Sequence, residues 1–365
     1  MPTDATAILA PAATHPAAAR RILRLSLGTA LALCYSQIAN WPLSFITPVL
    51  TMMILALPLP APGIRKGLAF VVALLAPMIG ALVLLPFLEH ARLAGILMVT
   101  LALFYSFYYT ARGGSPILGM FMTVGLTLIV TVGSVNSTVL VALIKALAYG
   151  AFFGMTFVWL AHLLLPDLPR ETGPAALRPP PPPPPALAEA RRSALRAMLI
   201  VLPLVLAFLF MSGSPAYTVV MIKVASMGQQ ASADRSRDMG RSLLASTLWG
   251  GLAAIAAWYL LSIWPSLLLY VLLVALAGLL FGRRIFHGPA IHADSSTWSY
   301  AFLTMLVILA PAVLDSPISS SAGTAFWSRL FLFVGIAVYG TVAVAIFDAF
   351  WPATPGTDRQ GRDGS

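Results

Sequence analysis

Charged side chains are scarce in this sequence. Asp, Glu, Lys and Arg make up 9% of its 365 residues, whereas hydrophobic residues make up 59%. A soluble globular domain carries about 25% charged residues. The chain also contains repeated apolar runs of roughly 17 to 25 positions, which is enough to cross about 30 Å of hydrocarbon. The composition therefore excludes a soluble globular protein and predicts an all-α polytopic membrane protein with the lipid bilayer as its solvent.

Cysteine and the common catalytic motifs are also missing. Cys34 is the single cysteine, so no intrachain disulfide and no CxxC metal or redox site can form. The sequence contains no GxSxG, HExxH, Walker or calcium-loop motif. These absences argue against an enzyme and against direct use of ATP. We expect no catalytic residues, no metal site and no cofactor.

The basic residues lie in short segments between the apolar runs. The net charge of +10 would suit nucleic acid only if these residues shared one soluble face, so nucleic-acid binding is excluded. With a cytoplasmic N-terminus, eighteen of the 22 basic residues fall inside and only Arg92 and Arg329 fall outside, with Lys145 and Lys223 within spans. Cytoplasmic loops are enriched in Lys and Arg. We therefore predict a multi-pass protein of the bacterial inner membrane with both termini in the cytoplasm.

The apolar runs predict twelve transmembrane helices, six on each side of a proline-rich stretch. The predicted spans are 22–40, 43–60, 67–86, 93–109, 116–133, 139–165, 195–212, 215–231, 242–262, 264–281, 297–313 and 329–351. The predicted organisation is a cytoplasmic segment at 1–21, a first six-helix membrane half at 22–165, a linker at 166–190, a second six-helix half at 191–351 and a disordered tail at 352–365.

The two halves resemble each other at a constant spacing. Arg20 and Arg21 recur 171 positions later as Arg191 and Arg192, and Arg112 recurs as Arg283. Because each copy would hold an even number of helices, both would cross the membrane in the same direction. The sequence therefore predicts two parallel six-helix repeats. Between them, seven prolines from Pro179 to Pro185 favour an extended polyproline spacer.

The second span of each half is unusual for a membrane segment. In the first half it carries several prolines, and in the second half it starts with Pro215 while Gly228 and two glutamines lie where hydrocarbon is expected. We expect both segments to be irregular, and interrupted spans at matching places point to a transport site. The predicted substrate-binding residues are Lys223, Tyr217, Gln229, Gln230, Pro48 and Thr51.

Lys223 is the sharpest single candidate, because a lysine at a helix centre costs about 2.5 to 3.5 kcal/mol to insert into a membrane. It would face a cavity or a carboxylate; a lysine that snorkels to a headgroup or joins a structural ion pair is the alternative. The carboxylates Asp348, Asp234 and Asp238 are candidates for proton coupling, with end caps or arginine pairs as the alternative.

Three segments carry a resemblance to a known family: RRILRLSLGTALAL, the proline-rich end of span two with IRKG, and FYSFYYTARGGSP. Over about residues 20–165 the chain resembles the fusaric acid resistance and aromatic acid exporter superfamily, and most closely a compact branch that carries a domain of unknown function. The resemblance implies an inner-membrane efflux component that works with a periplasmic membrane-fusion adaptor and an outer-membrane channel. The larger exporters have a cytoplasmic domain where this chain has only its proline-rich linker.

The sequence-based hypothesis is a transporter, driven by the proton-motive force, that exports small aromatic or anionic compounds. The main alternative is a non-transporting membrane scaffold or assembly factor, in which irregular spans serve packing. A third alternative is a membrane-embedded enzyme that acts on lipid, but the sequence shows no evident acid/base pair for such an enzyme. Association into a homo-oligomer stays open.

Overall fold

The apolar runs of the sequence form α-helices, because only helices and closed barrels satisfy backbone hydrogen bonds in lipid. The computed structural model describes residues 16–41, 43–133, 137–167, 186–210, 217–233, 239–286, 295–314 and 320–351. In these ranges it contains twelve helices and no strand, which confirms the all-α prediction. The predicted N-terminal segment up to residue 15, the proline run and the C-terminal tail lie outside the described residues. The helices are α1 (Pro16–Ala39), α2 (Ile46–Leu55), α3 (Ile64–His90), α4 (Arg92–Ala111), α5 (Pro116–Gly133), α6 (Ser137–Leu164), α7 (Leu187–Phe210), α8 (Tyr217–Ala233), α9 (Met239–Ile263), α10 (Leu267–Ile285), α11 (Ser295–Leu314) and α12 (Ser320–Phe350).

Eight of the twelve described helices are long and apolar enough to cross a membrane: α1, α3, α4, α6, α7, α9, α10 and α12. The apolar stretches of α2, α5 and α11 are shorter, and α8 is not among the apolar helices because lysine and two glutamines interrupt it. The chain is therefore a multi-pass membrane protein with eight clear spans, where the sequence predicted twelve.

The second helix of each half departs from the sequence prediction in its own way. The first is shorter than predicted: α2 covers only ten residues within the predicted span 43–60, because Pro58 and the prolines after it prevent the helix from continuing. The second is more regular than predicted: α8 is one continuous helix through Gly228 and Gln229, so the expected break in this segment was wrong. Gly228 instead serves close packing, since a Cβ there would lie 2.5 Å from Val201.

The described residues divide into two compact units. Unit 1 comprises Met1–Leu75, Ala142–Pro180 and Trp249–Gly323. Within it, α1 packs on α2 and α10, while α11 packs on α2 and α10. Unit 1 thus combines the first, second and sixth helices of the chain with helices from the second predicted half.

Unit 2 comprises Ala76–Val141, Pro181–Leu248 and Thr324–Ser365. Within it, α7 packs on α8 and α4, while α5 packs on α8 and α4. Each of these four contacts has a counterpart in unit 1 between the helices that lie six places away in the chain. The contact of α7 with α8 corresponds to that of α1 with α2, and the contact of α7 with α4 corresponds to that of α1 with α10. The contacts of α5 with α8 and α4 correspond to those of α11 with α2 and α10. The boundary between the units also falls inside α3 and inside α9, which are themselves six helices apart.

Glycine permits close helix contact in unit 1. A Cβ atom at Gly278 on α10 would lie 2.7 Å from the backbone Cα of Ser26 on α1, and the Ser26 hydroxyl donates to the carbonyl of Ala275 at 2.6 Å. Small residues let membrane helices approach in this way. The α1 and α10 backbones therefore touch at Gly278.

We predict that Gly278→Ala lowers the free energy of unfolding by about 1 to 3 kcal/mol, because the added methyl group would overlap the backbone of Ser26. Thermal unfolding of the purified protein in detergent measures the change. Gly80→Ala is the matched control, since a Cβ at Gly80 meets nothing within 4 Å. Equal melting temperatures for both variants would contradict the proposed contact.

Candidate functional site

Helix α8 of unit 2 is buried over most of its described length and carries three long polar side chains. Every position of α8 from 220 to 231 is buried, including Lys223, Gln229 and Gln230. Burial of polar groups in an apolar protein is costly unless each finds a partner. The partners of these three side chains therefore indicate whether each has a structural role or could bind a ligand.

Lys223 lies on the face of α8 that packs against α12. Its Nζ atom is 5.9 Å from the centre of the Phe333 ring, and the residue is 3% exposed. On the same helix face, Met227 meets α12 closely, because a Cβ at Gly340 would overlap the Met227 sulfur. The ammonium is thus held beside an aromatic ring in the interior of unit 2, which favours a cation.

Gln230 shares this face with Lys223, because seven residues make about two helical turns. Gln230 is 5% exposed, and its side-chain amide nitrogen has no hydrogen-bond partner among the described residues. A buried donor without a partner costs about 1 to 3 kcal/mol. This face therefore presents an ammonium and an amide N–H, both of which suit an anionic or hydrogen-bond-accepting ligand.

Gln229 points to the opposite side, towards α4 and α5, and is fully engaged there. Its Oε1 accepts a hydrogen bond from Thr110 at 2.8 Å, and its Nε2 donates to the hydroxyl of Thr123 at 2.7 Å. The Thr123 hydroxyl also lies 2.9 Å from that of Ser106 and donates to the carbonyl of Gly119 at 3.0 Å. Because its amide is satisfied by protein, Gln229 fixes α8 against α4 and α5.

A second polar group ties the C-terminal end of α8 to α7 and α12. Arg196 is 1% exposed, donates to the backbone carbonyl of Ala231 at 2.8 Å and forms an ion pair with Asp348 at 3.3 Å. Asp348 also pairs with Arg192 at 2.7 Å, and Arg192 donates to the carbonyl of Trp351 at 3.0 Å. The predicted proton-coupling candidate Asp348 is thus part of an arginine clamp.

Unit 1 contains a clamp of the same kind. Arg24 donates to the carbonyl of Leu165 at 2.6 Å and pairs with Asp167 at 2.6 Å, while Arg20 donates to the carbonyl of Pro166 at 2.8 Å. Burial raises the pKa of the Asp167 carboxyl, but the hydrogen bond and charge of Arg24, with smaller effects of the His162 charge and a backbone hydrogen bond from Ala61, together lower it below its usual value. In both units, arginines near the start of the first helix of a half hold the end of its sixth helix.

Two of the other predicted site residues lie in unit 1, and the rest fall partly or wholly outside the described residues. Pro48 and Thr51 are buried on α2 in unit 1, where the Thr51 hydroxyl donates to the carbonyls of Thr47 and Gly154. Tyr217 begins α8, and its side chain is outside the described residues, as are Asp234 and Asp238 altogether. Of the predicted substrate-binding residues, the structure gathers Lys223, Gln229 and Gln230 in unit 2.

Sequence reasoning missed the partners of α8. Ser106 and Thr110 are four residues apart on α4, and Thr123 and Thr127 are four apart on α5. Such spacing places two hydroxyls on one helix face, which was the available signal. Nothing in the sequence singled out Phe333, because it is one of many aromatic residues in apolar runs.

One family model matches part of the chain. Residues 21–161 match a family described as a protein of unknown function (DUF2955), over the stretch where the resemblance noted from the sequence was clearest. The match covers less than half of the 365 residues. No curated protein and no solved structure matches the chain significantly. Placement in the aromatic acid exporter superfamily therefore stays a prediction, and function has to be argued from the site.

Proposed function

We propose that this chain is a transporter of the bacterial inner membrane that exports small aromatic or anionic compounds. In this proposal it uses the proton-motive force and works with a periplasmic membrane-fusion adaptor and an outer-membrane channel. It is not an enzyme. The observation that carries the proposal is the buried ammonium of Lys223 beside Phe333 in a multi-pass membrane protein.

A buried lysine in a membrane protein marks a functional site by default, because its insertion is costly and a purely structural helix does better without it. The α12-facing side of α8 combines Lys223, the Phe333 ring and the amide of Gln230. A substrate carboxylate would pair with the ammonium, and an aromatic ring would pack on Phe333. This combination supports an aromatic or other organic anion as the substrate class.

We also propose that the two halves are six-helix repeats. The starts of α1 and α7 are 171 residues apart, as are the starts of α2 and α8. Each of the four helix contacts described for unit 1 has a counterpart in unit 2 after a shift of six helices, and both units contain an arginine clamp. Under this alignment Lys223 falls opposite Met52, so only the second repeat would carry the ammonium.

The proposed topology makes a prediction about reporter fusions. Reporters placed after Trp351 and within 170–190 should both report the cytoplasm, because basic residues flank these positions. Insertions near Ser134 and Ser262 should report the periplasm. Paired alkaline phosphatase and fluorescent-protein fusions measure this. A periplasmic signal from the C-terminus would contradict an even number of spans.

The proposed export activity predicts slower accumulation of labelled aromatic acids in cells that express the protein than in a deletion strain. An ionophore that collapses the proton gradient should abolish the difference, since export would have no other energy source in this chain. Efflux from preloaded cells gives the rate directly. Equal efflux rates with and without the protein, across a panel of aromatic acids, would favour the scaffold alternative.

The adaptor partnership is tested separately. If export crosses both membranes, resistance to the exported compound should fall in a strain that lacks the candidate adaptors while inner-membrane efflux in vesicles persists. Full resistance without any adaptor would contradict the partnership and leave the transport proposal in place.

A further inference from the structure

Several basic helix ends of unit 1 meet at one end of the bundle. At the start of α1, Arg20 and Arg24 bind the carbonyls that follow α6. The end of α10 is alongside, because a Cβ at Gly282 would lie 3.1 Å from Ile22. This contact brings Arg21 of α1 to the same end of unit 1 as the exposed pair Arg283 and Arg284 of α10.

The start of α3 belongs to the same end. Trp159 of α6 donates from its ring nitrogen to the carbonyl of Pro62 at 2.8 Å, and a Cβ at Gly67 would touch the Trp159 ring. This contact places the exposed Arg65 and Lys66 near the C-terminal end of α6. Three helices, α1, α3 and α10, thus place their basic residues at the end of unit 1 where α6 ends.

The charge at this end is strongly one-sided. Seven lysine and arginine side chains lie there, and within the described part of unit 1 the only carboxylate side chain is Asp167, which Arg24 already engages. The local positive charge therefore exceeds what the described residues of unit 1 neutralise. The seven are Arg20, Arg21, Arg24, Arg65, Lys66, Arg283 and Arg284.

Two tryptophans adjoin the α10 arginines. The guanidinium of Arg284 lies 5.4 Å from the centre of the Trp298 ring, and Trp298 lies 5.8 Å from Trp249, which is half exposed. Tryptophan concentrates at the level of lipid headgroups, where one end of its ring is apolar and the other is wet. The contact with Trp298 positions the Arg284 guanidinium, and guanidinium N–H groups are well suited to bind phosphate oxygens.

We propose that Arg283, Arg284, Trp298 and Trp249, the arginine–tryptophan surface, bind the phosphate headgroup of an anionic phospholipid from the adjacent leaflet. A free phosphate would need only the arginines. The exposed Trp249 ring beside them supplies an apolar surface for an acyl chain, and Arg283 and Arg284 occupy the last turn of the membrane span α10. The arrangement thus fits a lipid better than a soluble anion.

Native mass spectrometry of the full chain in detergent tests the proposal. The protein is titrated with phosphatidylglycerol and with phosphatidylcholine of the same acyl chains, and bound lipid is counted. Wild type should retain phosphatidylglycerol preferentially. Arg283→Gln with Arg284→Gln should reduce that preference about 25-fold, because each arginine near an anionic headgroup strengthens binding about fivefold.

Three controls keep the result interpretable. Arg283→Lys with Arg284→Lys preserves charge and should keep most of the preference, which also shows that the sites tolerate substitution. Arg359→Gln with Arg362→Gln removes two charges from the C-terminal tail and should leave the preference unchanged. Size-exclusion profiles confirm that each variant is folded.

Three outcomes would overturn the proposal. Equal retention of both lipids by wild type, or undiminished preference in the double glutamine variant, would show that this surface does not select anionic lipid. Displacement of bound lipid by millimolar inorganic phosphate would assign the surface to a soluble anion instead. None of these results bears on export, which is measured independently.

Discussion

Replacing Lys223 with methionine should abolish export while leaving the protein folded and inserted. The ammonium is the group proposed to attract the substrate anion, so its loss removes the charge that the site supplies. Folding should survive because Met52, at the aligned position of α2 in unit 1, is itself 1% exposed and packs within an equivalent set of helices. A methionine also eases insertion, since the cost of a buried lysine is about 2.5 to 3.5 kcal/mol.

Lys223→Arg should retain only part of the activity, because a planar guanidinium does not reproduce a compact ammonium. Met52→Leu is the matched control: it changes a buried side chain of similar size at the aligned position and should leave export unchanged. Efflux rates at equal membrane abundance measure all three variants. Export at the wild-type rate by the methionine variant would move the site away from Lys223.

Asp348→Asn should destabilise the protein by about 3 kcal/mol. Arg196 is almost fully buried, and removing its carboxylate partner leaves a buried charge poorly compensated. Breaking a buried pair from one side costs about 3 to 5 kcal/mol, whereas replacing both partners is much less harmful. Arg196→Met combined with Asp348→Asn should therefore recover part of the lost stability, as measured by unfolding in detergent.

The clamp of unit 1 provides the comparison. The Asp167 side chain is 51% exposed, so Asp167→Asn should cost no more than about 1 kcal/mol. The same variants separate a clamp from a proton relay. If Asp348→Asn matched wild type in stability but exported without dependence on the proton gradient, Asp348 would be a coupling residue and the clamp interpretation would be wrong.

The sequence predicted the membrane class and the helix order because hydrocarbon imposes length and composition on each span. It also singled out Lys223, since a lone charge in an apolar run is conspicuous. The prediction of an irregular α8 failed for a physical reason. Gln229 finds its hydrogen bonds on α4 and α5, which are more than a hundred residues away, so the helix does not need to open.

The residues that contact Lys223 and Arg196 could not be predicted from the sequence for the same reason. The ring of Phe333 faces Lys223 across 110 positions of the chain, and Arg196 reaches Ala231 and Asp348 from a third helix. Apolar periodicity indicates which residues are buried but not which helices meet. The composition of each unit from both predicted halves was likewise invisible in a linear division of the chain.

Because each unit contains helices from both predicted halves of the chain, the helices of a unit cannot all assemble as soon as they are synthesised. The main partner of α1 is α10, which begins more than two hundred residues after α1 ends. At a synthesis rate of about 5 to 20 residues per second, α1 waits roughly 10 to 50 s in the membrane before α10 emerges from the ribosome. The α4 helix similarly waits for α7. Neither unit can close until much of the second half has been translated, so early helices depend on lipid or an insertion chaperone during that interval.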